Sequence, residues 1–260
     1  MDMDLFETIH GHRYIRSYKS APVDEELLTE ILAAGTRASS SGNMQTYSII
    51  VSRDEAMRER LFLPHMEQNM VLEAPVLLTF CADFRRMRKW LRINDAPDNF
   101  DDFFAFLVAA IDAVLVSQNV ALAAEAKGLG ICYMGSTLAN ADQIGGILEL
   151  PEGVMPVVGF SLGWPDEDPA PRDRLPLSGL VHHETYQDHD DDEIRAMYRD
   201  RDKAGWDRYM TMPRLRELVE EHDVENLAQI YTMVKYTREG HARYTKTVLD
   251  YLKKQGFVKG

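Results

Sequence analysis

His12, Arg13 and Arg16 crowd into five residues near the start of the chain, in "GHRYIRSYK". An imidazole and two guanidiniums gathered this closely are chemistry for an anion, because a guanidinium fork matches phosphate or carboxylate oxygens in pairs. The chain around them is acidic, with 42 Asp and Glu against 29 Lys and Arg and a formal net charge of -13. That balance opposes general binding to nucleic acid or to an anionic membrane, both of which need a basic face, but leaves room for a local cationic pocket. Further stretches carry polar groups in suggestive order: "RASSSGNMQ" from Arg37, "QNM" from Gln68 and "PRDRLP" from Pro171. Taken singly, each has an ordinary reading as a turn, a surface amide or a solvated pair of arginines.

Two other patterns are rejected on context. "GFSLG", Gly159 to Gly163, fits the G-x-S-x-G elbow of serine hydrolases, but Trp164-Pro165 and a proline-rich loop follow where a helix must begin. "HHETYQDHDDDE", 182–193, has three histidines without the i, i+4 spacing of a helical metal site. It reads instead as an acidic turn that caps the next helix, so no metal is expected. No G-x-G-x-x-G opens a helix after a strand, and the glycines of "GLGICYMG" close a strand instead. Cys81 and Cys132 are far apart, sit in apolar runs and read as buried small hydrophobes of a reducing compartment.

The elements that must position these residues follow from periodicity. A helix is predicted over 24–37 with Asp24 at its N-cap, then a turn over 38–43 and a strand over 47–52. A helix around 54–62 and a fully apolar strand over 74–83 come next. Residues 100–127 form a long helix, apolar on most sides and therefore buried on more than one, which suggests a partner subunit. Its densest apolar run, Phe103 to Val116, is too short for a bilayer and carries Asp112. A strand over 128–136, a helix near 140–149 and a strand over 154–163 complete the pattern. Beyond Gly163 lies a proline-rich loop, and residues 190–260 read as a charged, mostly helical arm without a core of its own. The acidic N-terminus, "MDMDLFETIH", has neither the basic start nor the apolar stretch of a signal peptide, so a cytoplasmic protein is expected.

In combination and in order, these motifs are diagnostic. "HRYIRSY" (12–18), "RASSSGNMQTYSII" (37–50), "QNMVLEAPVLLTFCADF" (68–84) and "SQNVALAAEAKGLGICYMG" (117–135) resemble the nitroreductase family. The likeness lies in the subgroup of oxygen-insensitive NADPH nitroreductases and flavin reductase P enzymes. It continues through "GFSLGWP" (159–165), "RLP" (174–176), "HHETY" (182–186) and "LDYLKKQGF" (249–257), and is poor over 195–240.

The resemblance implies an α+β, three-layer fold with a mixed, largely antiparallel sheet. It implies a homodimer whose long central helix pairs with its copy while the C-terminal arm embraces the partner. Residues 1–186 would then be the FMN-binding core and 187–260 a helical arm of the same domain. The anion would be the phosphate of tightly held FMN, near His12, Arg13 and Tyr14, with Arg172 and Arg174 closing over it. Arg16 would reach the N1/O2 edge of the flavin ring, and Ser39, Ser40 and Ser41 would arrive from the other subunit. Gln68 would bond the pyrimidine or ribityl side, while Tyr133, Met134, Gly135 and Ser136 run past the ring with backbone N–H groups near N5. Three positions depart from the family pattern: Tyr14 stands where a serine is frequent, Arg172 where a lysine is, and Gly135-Ser136 where Gly-Gly is.

The function so implied is an FMN-dependent NAD(P)H oxidoreductase with ping-pong hydride transfer to nitroaromatics, quinones or flavins. NADPH or NADH is the donor, and no side chain need act as a nucleophile or base. A flavin reductase feeding a partner monooxygenase and a non-enzymatic flavin-binding redox sensor are the alternatives.

Overall fold

The computed structural model describes residues 4–258. Its contacts group the chain into two units: residues 1–171 with 244–260, and residues 172–243. The break between them lies inside the proline-rich loop, and the C-terminal segment groups with the first unit.

In the first unit, α1 (Leu5–His10) is capped by Asp4, whose carboxylate accepts from the Phe6 N–H. α2 (Glu25–Gly35) begins after Asp24, which occupies the N-cap position without a side-chain bond. β1 (Tyr47–Ser52) leads to α3 (Glu55–Phe62), capped by Asp54 on the Met57 N–H, and to a single turn, α4 (Met70–Glu73). β2 (Val76–Asp83) is buried along its whole length. α5 (Arg85–Ile93) was not foreseen, although Met87, Trp90 and Leu91 stand at i, i+3, i+4 spacing; none of its residues is fully buried. α6 (Phe103–Ala126), β3 (Gly130–Tyr133), α7 (Ser136–Ala139), α8 (Ala141–Ile147) and β4 (Val154–Gly163) follow.

The strands make a four-stranded sheet in the order β1-β2-β4-β3, every neighbouring pair antiparallel. The expected parallel component is reduced, among the described residues, to an isolated bridge between Tyr14 and Ile131. Alternation along the strands builds two faces. Val76, Leu78 and Ile131 pack with Leu28 and Ile31 of α2 and Val120 of α6. Leu77 and Cys132 point the other way, toward Leu61 of α3, Met70 of α4 and Ile144 of α8. The result is helices, sheet, helices: three layers. α2 and α6 approach so closely that a Cβ on Gly35 would lie 2.2 Å from the Val120 γ2 carbon.

α6 continues well past the Phe103–Val116 run and, contrary to the expectation from that run, is long and apolar enough to cross a membrane by length and composition. In the fold, one side of it is buried against the sheet, with Ala113, Val116 and Val120 in the core. The other side leaves Phe104 (70% exposed), Leu107, Ile111 (57%), Val114 and Leu115 uncovered, a stripe at helical spacing.

The second unit contains α9 (Asp191–Met210), α10 (Pro213–Glu221), the turn α11 (Leu227–Gln229) and a π-helical stretch, Ile230–Lys235. Asp190 and Glu193 form a capping box on α9, so the acidic run caps a helix as its composition implied. α12 (Arg238–Lys254) straddles the boundary in sequence. The segment is not coreless: Tyr209, Val219, Val224, Leu227 and Ile230 cluster as a small core. Those positions come from α9, α10, the loop after it, α11 and the π-helical stretch, which is why no contiguous apolar pattern announced them.

Candidate functional site

The cation cluster occupies the extended segment after α1, pinned to β3 by a hydrogen bond from the Ile15 N–H to the Ile131 carbonyl, 3.0 Å. Two of the three side chains, His12 and Arg13, already face an acceptor. His12 Nδ1 lies 2.7 Å from Oε1 of Glu125, in the last turn of α6. The other Glu125 oxygen is buried and unpartnered among the described residues. The Arg13 guanidinium pairs with Asp168, and its Nε donates to the Gly11 carbonyl at 3.3 Å. The backbone N–H groups of Arg16 and Ser17 both donate to Oε1 of Glu167, the second at 3.0 Å. Arg13, Glu125, Glu167 and Asp168 line one cavity of about 240 Å³. Burial pushes the pKa of the Cys132 thiol on β3 up, and the charge of Arg16 opposes the shift. Tyr14 stands edge-on to His12, ring centroids 5.2 Å apart.

The serine run is organised by a residue that sequence reading treated only as a break in an apolar helix. Asp112 of α6 is fully buried. Its carboxylate accepts from Ser40 Oγ (2.7 Å), the Ser41 N–H (3.0 Å), the Thr46 N–H (3.3 Å) and Thr46 Oγ1 (3.1 Å). The turn it holds is unusual backbone: Gly42, Asn43 and Gln45 all have positive φ. Ser39 remains exposed. A lone carboxylate in an apolar run was the available signal, since a buried charge must find donors.

Just beyond β3, Gln68 and Ser136 come together. Gln68 Nε2 donates to the His65 carbonyl at 2.8 Å and toward Ser136 Oγ at 3.4 Å. His65 Nδ1 lies 2.9 Å from the same Ser136 Oγ. His65 is a site residue that the sequence reading missed; a lone histidine after a helix carries no local signal. Burial lowers its pKa to about 4, so the ring is neutral near pH 7. Tyr133 donates its hydroxyl to Ser117 Oγ at 3.0 Å, and burial pushes its phenol up to about 12. The Met134 N–H is spent on the Gly159 carbonyl at 2.8 Å. A Cβ on Gly135 would meet nothing within 4 Å, so the backbone is open on that side.

β3 therefore collects two of the predicted groups: His12 to Arg16 along one end, and Gln68 with Tyr133 to Ser136 at the other. Ser40 and Ser41 are instead tied to α6 of their own chain. Arg172 and Arg174 belong to the second unit, where Arg174 donates to the carbonyls of Arg172 and Asp173, both at 3.1 Å.

An antiparallel sheet between two helical layers, with a cationic segment and an open Gly-Ser corner flanking one edge strand, defines an α+β protein. Residues 9–164 match the model of the nitroreductase family. The chain is 37% identical over 194 residues to the NADPH-flavin oxidoreductase of Vibrio harveyi, covering 74% of this chain and 79% of that one. Its fold superposes on nitroreductase A of Vibrio parahaemolyticus with a TM-score of 0.82 at 32% identity, over 99% of this chain and all of the other. It superposes on the NADPH:FMN oxidoreductase of Vibrio harveyi, solved with NAD+, with a TM-score of 0.79 at 30% identity, over 98% and 99% of the two chains. The chain belongs to the nitroreductase family and is an oxidoreductase.

Proposed function

We propose that this protein is an FMN-dependent NAD(P)H oxidoreductase that reduces nitroaromatics, quinones or flavins. The observation that carries the reading is the cation segment beside β3 together with the open backbone at Gly135. Both fit FMN. The segment already binds oxyanions, with Asp168 on Arg13 and Glu167 on two successive N–H groups, and phosphate oxygens ask for the same donors. The open side of Gly135 leaves room for a flat ring to lie against the main chain.

His12, Arg13 and Tyr14 hold the phosphate in this reading, and Arg172 and Arg174 close over it. Arg16 places its charge at the N1/O2 edge, where negative charge accumulates on reduction. Ser39, Ser40 and Ser41 reach the flavin of a second subunit, and Gln68 bonds its polar edge. When bound, FMN supplies the N5 atom that takes hydride from NADPH or NADH and passes it to the acceptor. The chain binds, orients and shields, and none of its side chains forms a covalent bond. The exposed stripe on α6 supports a homodimer, since an apolar strip of this kind is an association surface. A cytoplasmic location is part of the same reading.

The test is colour followed by bleaching. The purified protein is expected to be yellow, to carry one FMN per chain, and to bleach with NADPH or NADH in the absence of oxygen. A colourless protein that takes up no FMN rules the reading out. A yellow one that no nicotinamide reduces rules out the enzyme and leaves a flavin-binding sensor.

A further inference from the structure

We propose that α5 and the groove between it, β1 and the start of β4 form a second binding site, one that takes a phosphorylated aromatic molecule of mononucleotide size. The site is separate from the cation segment beside β3 and does not rest on the flavin reading above. α5 carries five cations in nine residues, in a chain whose acidic residues outnumber its basic ones 42 to 29. None of its residues is buried, so core packing does not account for it. Yet the helix is held firmly at both ends. Phe84, just before it, is fully buried, stacks on Phe100 with ring centroids 5.0 Å apart, and donates its N–H to the Gly153 carbonyl at 3.2 Å. Arg88 Nε donates to Asp98 Oδ2 at 2.7 Å across the turn that follows.

Helical spacing sorts the side chains. Arg85, Arg88, Lys89 and Arg92 stand at i, i+3, i+4 and i+7 on one face and line a cavity of about 560 Å³, together with Asp95, Asp98 and Glu152. Arg85, Lys89 and Arg92 also line a neighbouring groove of about 590 Å³, within the size range of small-ligand pockets. Its apolar wall is Ile50, Leu150, Pro151 and Val154, and Trp90 stands beside them, 58% exposed. The one carboxylate in this groove is Asp83, which Arg86 faces at 3.6 Å. Arg86 is otherwise spent on the Gln45 and Tyr47 carbonyls, at 2.6 and 3.0 Å. Arg85 gives an N–H to the Glu152 carbonyl at 3.1 Å, a neutral acceptor. Lys89 and Arg92 have no ion pair or side-chain hydrogen bond among the described residues. Uncompensated cations and an aromatic ring left in water thus share one concavity. A single ligand satisfies both: its phosphate takes the charge-assisted donors of Lys89 and Arg92, and its flat ring lies on Trp90 against the apolar wall. A nucleic-acid strand, by contrast, is opposed by the net charge of -13.

The experiment is isothermal titration calorimetry of the full chain with adenosine 5′-monophosphate, adenosine and inorganic phosphate. The nucleotide is expected to bind more tightly than either half alone, and more weakly as salt is raised. Removing both free cations, in Lys89→Ala/Arg92→Ala, should weaken nucleotide binding at least about tenfold, the worth of a charge-assisted hydrogen bond. Trp90→Ala should weaken it by a similar factor, roughly tenfold, through lost stacking, while leaving phosphate binding unchanged. All three side chains are exposed, so the fold should survive, and thermal melting checks that it does. Lys203→Ala, which removes an exposed cation from α9, should change nothing and so separates this site from the general field. No nucleotide binding at millimolar concentration overturns the inference. So does binding that Lys89→Ala/Arg92→Ala leaves intact, which would place the nucleotide elsewhere on the molecule. Phosphate that binds as tightly as the nucleotide, with no effect of Trp90→Ala, overturns it too and leaves only surface attraction of anions. Protein that takes up FMN but fails these titrations defeats this inference alone, and protein that passes them without taking up FMN defeats only the flavin reading.

Discussion

His65 is a buried titratable group of the site, and its effect on stability has a definite sign. Its pKa falls from an ordinary 6.5 to about 4 because burial penalises the imidazolium. The unfolded chain therefore takes up a proton below pH 6.5 that the folded chain refuses until about pH 4. The stability this neutral ring contributes is complete above 6.5 and drains away as pH falls through that window, by roughly 3 kcal/mol in all. Urea unfolding at pH 7.5 and 4.5 checks it. Wild type should lose about 2–3 kcal/mol more than His65→Leu between the two pH values. Equal losses would mean that the ring titrates normally. Glu125 shows the opposite arrangement: one oxygen engaged by His12, the other buried with no partner among the described residues.

At the scale of elements, α6 does two jobs on two faces. Toward the sheet it is core. At Asp112 it reaches sideways to hold the 40–46 turn, whose left-handed residues give it little preference for its shape unaided. Asp112→Ala strands the Ser40 hydroxyl and the Ser41 and Thr46 N–H groups. The expected cost is roughly 3–5 kcal/mol, since donors to a buried carboxylate lose both partner and solvent. Asp112→Asn keeps one acceptor oxygen and turns an amide toward donors, so it should fall between. Thermal unfolding together with protease cleavage in the 39–45 turn measures both effects. A wild-type melting temperature and an uncleaved turn in Asp112→Ala would show that the turn holds itself.

The whole molecule is marked by an imbalance: a 24-residue helix with one flank in the core and apolar side chains along the other. If that flank is the homodimer seam, and the serines tied to its Asp112 serve the partner's flavin, then assembly and FMN binding must be linked. Ile111→Asp places a charge in the middle of the stripe. It should sediment as a monomer at concentrations where wild type is a dimer, and should bind FMN at least about tenfold more weakly, a difference of about 1.4 kcal/mol. FMN in turn should tighten the wild-type dimer. A dimeric Ile111→Asp protein would place the interface elsewhere, and a monomer with undiminished FMN affinity would separate assembly from the site.

The chain's local patterns determined most of the elements. β4 runs over Val154–Gly163 as read, and the 24–37 and 54–62 helices fall within two residues of their observed ends, because apolar period and capping residues act over a few positions. The neighbourhood of His12, Arg13 and Arg16 was equally local, since one extended segment carries all three. Tertiary structure alone decided which acceptors those cations face, with Glu125 arriving from 113 residues away and Asp168 from 155. It alone joined His65 to Ser136 across 71 residues and Ser40 to Asp112 across 72. It also gave the 172–243 segment a core assembled from scattered side chains, and grouped the chain from residue 244 onward with the first unit. Periodicity records which side of an element is apolar. It does not record which distant polar group will be pressed against it, because that is set by the packing of whole layers and by the need of each buried donor and acceptor to find its counterpart there.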